Sequence, residues 1–223
     1  MKVMFTRKQL HRGYIYLLGI LMTGLGVTVL LRSSLGAGAW DTVVYNLRAF
    51  FSYVLSLDVT LGTVSFMINL VVLACIMLYH KKIRFIFVLV PVFGIAVAID
   101  FWDIIVLGNY IPNELFIQIL LFLGGIFILT LGLSLMLVTK FPAMVFDELT
   151  LIVMEIFTIK NFFVSRMFIE LSAIVLATIL GFSSNIGFGA VNFGSFLLAL
   201  ILGPIIEIQL KYLKFLTKSL FQN

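Results

Sequence analysis

The chain has 223 residues, of which 62% are hydrophobic and only 11% charged, with a mean hydropathy of +1.21. Soluble domains carry about 25% charged residues, so a single water-exposed globule is excluded, whereas lipid can cover the excess of apolar side chains. The net charge of +5 does not point to nucleic acid, because the basic residues cluster beside apolar runs, as they do at cytoplasmic membrane edges.

In chain order, a basic start with Lys2, Arg7, Lys8 and Arg12 leads into the apolar run Tyr14–Leu31. This run lacks a small-x-small cleavage site followed by soluble sequence and is expected to remain as a span. Trp40–Leu57 is apolar but short and carries charge. Leu61–Tyr79, Ile86–Leu107 and Leu115–Val138 are uninterrupted candidates, apart from Asp100 and Asp103 in the second of them. Ala143–Ile159 is again short and charged. Phe168–Phe182 with its flanks and Phe193–Leu210, broken only by Glu207, complete the series. Six of these runs approach the roughly 20 residues that a spanning helix needs, and none has the period of two of a barrel strand. The predicted fold is an all-α polytopic membrane protein, a single membrane domain over 1–223. It has six transmembrane helices plus two short re-entrant or interfacial helices.

Charge sets the expected orientation. Lys81, Lys82 and Arg84, and near the other terminus Lys211, Lys214 and Lys218, join the N-terminal group on the cytoplasmic side. The turns at 108–114 and 183–189 contain no Lys or Arg and are expected outside. Six crossings satisfy every assignment and put both termini in the cytoplasm.

The segments LGVTVLLRSSLGAGAWDTV (25–43) and LGLSLMLVTKFPAMVFDEL (131–149) align at an offset of 106 residues. Gly26 meets Gly132, Trp40 meets Phe146 and Asp41 meets Asp147, and upstream Gly19 meets Gly125. The acidic match is the informative one, because only ten residues are acidic. Two units, about 13–107 and 119–210, each hold one span, one short helix and two more spans. An odd number of crossings makes the second unit run inverted, a 3+3 arrangement common in secondary transporters.

Gly36 and Gly38 are expected to permit unusual backbone and close approach, and Pro142 to favour a helix start just after it. Asp41 and Asp147 then fall early in the short helices. There they either cap backbone amides or, with Asp100, Glu207 and Asn69, line a central polar site. Charged groups at membrane depth face protein or water. Arg166 and Glu170 have the spacing of a helical ion pair. Gly19, Gly26, Gly124, Gly125, Gly132, Gly187, Gly189 and Gly194 are expected to serve helix packing. Cys75 has no partner for an intramolecular disulfide. His11 and His80 are expected at membrane edges, so no metal site is expected. Nucleotide-loop and metalloprotease patterns are missing, so neither a cofactor nor an enzyme activity is expected.

The LRSSLGAGAWD segment, Gly62–Thr63 opening the next span and the late GFGAVNFGSFLLALILGP stretch resemble the bacterial YczE/YyaS/YitT family, above all its YczE-like branch. The likeness runs over nearly the whole chain. Leu35, Gly36, Gly38, Trp40 and Asp41 match the family's LGxGPWD-like pattern, with Ala39 standing where that pattern has Pro. The resemblance implies a multi-pass protein of the bacterial cytoplasmic membrane and carries no catalytic residues with it. The leading functional expectation is a small transporter or permease acting on a small solute or ion. A membrane accessory or scaffold protein, and the substrate-capturing subunit of a larger importer, are the alternatives. The bilayer is the expected environment, nucleic acid is not a partner, and either a homo-oligomer or a larger membrane complex is compatible with the sequence.

Overall fold

The computed structural model describes residues 7–108, 110–142 and 145–216. Lys2, Asn109, Ala143 and Lys218, which enter the charge and repeat readings, lie outside the described residues. The described chain is helical. The helices are α1 (Arg7–Arg32), α2 (Ala39–Leu55), α3 (Leu61–His80), α4 (Leu89–Asp100), α5 (Leu115–Val138), α6 (Val145–Ile156), α7 (Phe162–Ser183) and α8 (Phe193–Leu216). A 3-10 turn, Ile83–Val88, leads into α4, and a π-helical stretch, Phe101–Val106, continues it. Six helical segments are long and apolar enough to cross a membrane: 8–32, 61–80, 85–106, 115–138, 162–183 and 193–216. They coincide with the six runs expected from hydropathy. The two shorter helices, α2 and α6, fall where the short, charged segments were expected.

The helix boundaries follow local chemistry. Thr60 caps α3 by accepting a hydrogen bond from the Thr63 amide, and Asn161 caps α7 through Phe163 and Val164. Lys81 closes α3 in the left-handed conformation. Gly36, at φ +127°, occupies backbone that disfavours a side chain, and a Cβ there would also lie 2.5 Å from the Ser195 amide nitrogen. The linker 33–38 is held by the start of α8. Gly194 N–H donates to Leu35 O (2.9 Å), the Ala37 amide to Ser195 Oγ (3.2 Å) and Asn192 Nδ2 to Ser34 O (3.0 Å). The two stretches that carried the family resemblance thus lie against each other.

At the centre α1 crosses α5 in antiparallel fashion, with backbones close enough to exclude side chains. A Cβ on Gly26 would lie 2.5 Å from the Leu129 Cα, and one on Gly132 would lie 2.5 Å from the Thr23 amide nitrogen. Gly19 faces Met136, and Gly125 faces Leu30. As residue numbers rise along α1 they fall equally along α5. Close approach of this kind is how helices gain contact in lipid, where no hydrophobic force drives them together. Gly124 differs from the expectation, because it faces open space and takes no part in the crossing. Around this pair, α4 packs on α1 and α8 on α5, while α2 lies on α7 and α6 lies on α3.

Candidate functional site

Between the α1–α5 crossing and the two short helices lies a cavity of about 100 Å³. Thr23 and Val27 of α1, Leu129 and Leu133 of α5, Ser65 and Asn69 of α3, and Arg166 and Glu170 of α7 contribute to its wall. The first turns of α2 and α6 close it through Ala39, Trp40 and Asp41, and through Val145 and Phe146.

Trp40 and Phe146 stack on each other in its wall, with ring centroids 4.4 Å apart and planes 18° from parallel. Such offset stacking is favourable beyond the area it buries, and it joins the two short helices directly. The Trp40 indole nitrogen is buried without a hydrogen-bond partner among the described residues.

Asp41 sits in the first turn of α2. Its side chain folds back over Gly38, where an added Cβ would come 2.6 Å from Oδ2. Gly38 itself has an ordinary φ of −55°, so this glycine provides room for the carboxylate and not an unusual backbone. The α2 cap position is Gly38, which makes no side-chain hydrogen bond. No hydrogen bond or ion pair reaches the Asp41 carboxylate among the described residues, so at this position the capping account fails.

Asp147, the counterpart in α6, is differently placed. It is bonded to Arg166 of α7, which also reaches Glu170 at 3.5 Å. The expected Arg166–Glu170 pair is therefore present, but as one arm of a triad. The Asp147 arm spans two helices, and no spacing rule finds it. Glu170 is 7% exposed and close enough to Asp41 for their charges to interact. Two acids on one guanidinium, together with an unpaired Asp41, leave the site formally anionic. Arg166→Met strands the Glu170 carboxylate in the bundle. Because Arg166 keeps 28% side-chain exposure, the expected loss is about 2–3 kcal/mol, below that of a fully buried pair. Adding Glu170→Gln should recover most of it, read as the detergent melting temperature.

Asn69 lines the cavity. Its Nδ2 donates to Ser65 O at 2.8 Å, which leaves Oδ1 without a partner among the described residues. The other two central candidates are corrected. Asp100 lies away from the cavity and accepts hydrogen bonds from Thr60 Oγ1 and the Gly62 amide, both at 2.7 Å. It thereby satisfies the first turn of α3, whose amides have no partner within the helix. Glu207 is exposed on α8, because that helix turns its Leu202 and Ile206 face to the cavity and the next residue points elsewhere. Elsewhere, Asp103 is buried against Arg32, with Arg48 Nη1 at 4.0 Å. Pro142 precedes α6 as expected, and its carbonyl accepts a hydrogen bond from Tyr16.

Asn46 was not legible as a structural residue. Fully buried in α2, it donates to Ala177 O (2.7 Å) and Phe188 O (3.1 Å) and accepts from the Ala190 amide (3.0 Å). These bonds fix α2 to α7 and to the turn after it. The available signal was an amide among the buried Val43, Val44 and Ala39 of an amphipathic helix.

Six spanning-length apolar helices around a small, partly charged cavity define a multi-pass helical membrane protein. The chain belongs to the family of unknown function DUF6198, whose model matches residues 10–211. It is 28% identical over 195 residues to the uncharacterized protein YyaS of Bacillus subtilis (strain 168), covering 86% of this chain and 92% of that protein. No solved structure matches.

Proposed function

We propose that this protein is a small secondary transporter of the bacterial cytoplasmic membrane, built as an inverted 3+3 repeat around the cavity at the two short helices. The observation that carries the reading is that the cavity is lined in corresponding pairs from both units. Thr23 and Leu129, Val27 and Leu133, Ala39 and Val145, and Trp40 and Phe146 all fall at the offset of the sequence repeat. The helix pairings agree, since α1 on α4 answers α5 on α8, and α2 on α7 answers α6 on α3. Antiparallel crossing of the equivalent helices α1 and α5 is what a two-fold axis in the membrane plane requires. A central site at the repeat interface, beside broken or short helices, is the usual place for a transported solute. Among the described residues the cavity wall is mostly aliphatic with a few polar groups, which supports reading the protein as a carrier. Within the YczE/YyaS/YitT family that the sequence resembles, we read the LGAGAWD segment as favouring the YczE-like branch.

Transport is tested in proteoliposomes on a solid-supported membrane, with jumps of small amines, amino acids, carboxylates and inorganic ions, with and without a pH or Na⁺ gradient. A solute-dependent current or gradient-driven uptake is expected. Silence across the panel would leave an accessory or scaffold role, or a subunit of a larger importer. Topology has its own test. In a Cys75→Ser background, single cysteines at Lys82 and Asn113 should label from opposite sides, with Lys82 cytoplasmic. Labelling from one side would overturn the six-crossing arrangement.

A further inference from the structure

The two halves of the cavity differ in charge at corresponding places. Ser65 lies four residues after Leu61, the start of α3, and Arg166 lies four residues after Phe162, the start of α7. Asn69 and Glu170 correspond in the same way, one turn further on. Unit two therefore presents Asp147 with a built-in cation, the Arg166 guanidinium. Unit one presents Asp41 with a serine in that place and an amide beyond it. The side-chain volume missing at Ser65 belongs to the cavity, which Asp41, Ser65 and Asn69 all line. Asp41 lies deep in the bundle yet keeps surface on that cavity.

We infer that the cavity takes a small organic monocation, an ammonium or guanidinium head on a short apolar body, at the place in unit one that the Arg166 guanidinium holds in unit two. The head meets the Asp41 carboxylate, Ser65 Oγ and the free Asn69 Oδ1. The Trp40 ring supplies an aromatic wall beside it, a surface that attracts cations when water is excluded. A bare metal ion is the poorer match, because hard cations require an oxygen shell and most of the remaining wall is aliphatic. An anion would meet Asp41 and Glu170 with like charge, and the Arg166 guanidinium in the same wall is already engaged by Asp147 and Glu170. The volume of about 100 Å³ limits the occupant to a few heavy atoms. A carboxylate buried in a membrane protein without a partner is costly, and a cationic ligand removes that cost on binding.

This inference gives a ligand class to the transport site proposed above, but its binding test does not depend on transport. The full-length protein in detergent is titrated calorimetrically with ethylammonium, methylguanidinium, tetramethylammonium, Na⁺ and acetate. Saturable binding of at least one organic cation is expected, weakened at least tenfold by Asp41→Asn and abolished by Ser65→Arg, which tethers a guanidinium in the site. If Ser65→Arg does not fold, Asp41→Asn decides alone. Binding of Na⁺ or acetate only, binding of no probe, or organic-cation binding unchanged in Asp41→Asn would each overturn the inference. Binding without flux would leave the ligand class and remove the carrier. Flux of another solute without cation binding would do the reverse.

Discussion

Replacing Asp41 by Asn should leave a folded, monodisperse protein that has lost at least nine-tenths of its solute flux. The carboxylate makes no cap and no ion pair among the described residues, so removing its charge breaks no contact. Asn has nearly the same shape, and it is also a good residue near a helix start. What disappears is a carboxylate on the cavity that makes no ion pair among the described residues. Asp147→Asn is the informative comparison. Asp147 is 41% exposed and its partner Arg166 28%, so solvent screening holds that pair to about 1 kcal/mol. A small loss of melting temperature is expected there, with flux reduced less than in Asp41→Asn. Vesicle flux normalised to the folded fraction, with the size-exclusion profile as the folding check, separates the two. Full flux in Asp41→Asn would remove the charge-dependent role and leave the acid without a functional account.

Gly26→Leu is expected to abolish folding. The Leu129 backbone sits 2.5 Å from the position of the new Cβ, and backbone cannot swing aside as a side-chain tip can. Overpacking typically costs about 1–3 kcal/mol, and a contact with backbone that cannot yield lies at the upper end or beyond. Here it acts at the contact of the two central helices, on which α4 and α8 are packed. The expected readout is aggregation on size exclusion with no cooperative melting transition. Gly132→Leu, which meets the Thr23 backbone, should behave alike. Gly124→Ala, with nothing within 4 Å, is the matched control and should be neutral. A monodisperse Gly26→Leu protein would mean that the α1–α5 crossing is not the centre of the fold.

The spans were legible because hydropathy reports burial in lipid and packing together, and both act along the whole of a run such as Leu115–Val138. The 85–106 span was found as a length and not as a shape. Its 3-10 entry and π-helical exit have no hydropathy signature, and at the exit Asp103 reaches Arg32 while Asp100 reaches the start of α3, contacts that no periodicity encodes. The short helices were visible through their charge and through Gly38 and Pro142. That Trp40 would stack on Phe146 was not visible. Alignment marked the two rings as equivalent, and equivalence alone does not say that they touch. Arg166 was read with Glu170 because four residues separate them, while its bond to Asp147 depends on α6 folding back against α7. Asp100 was misassigned for a related reason. A carboxylate in an apolar run looks like a central group until the unsatisfied amides of a neighbouring helix are counted, and the Thr60–Thr63 cap of α3 was the local sign of such a helix end.

The α1–α5 crossing also fixes where this sequence tolerates insertions and deletions. Its contacts run in register, with each step forward on one helix matched by a step back on the other from Gly19 facing Met136 to Leu30 facing Gly125. A side-chain replacement disturbs one of these contacts. Adding or removing a single residue between 19 and 30, or between 125 and 136, rotates everything beyond it by about 100° and brings larger side chains to positions where only hydrogen fits. Chain length is therefore constrained more tightly than composition in these two stretches. The described residues of the 108–114 turn take no part in this crossing, so length variation is expected there, whereas the turn after α7 is held by Asn46 through Phe188 and Ala190.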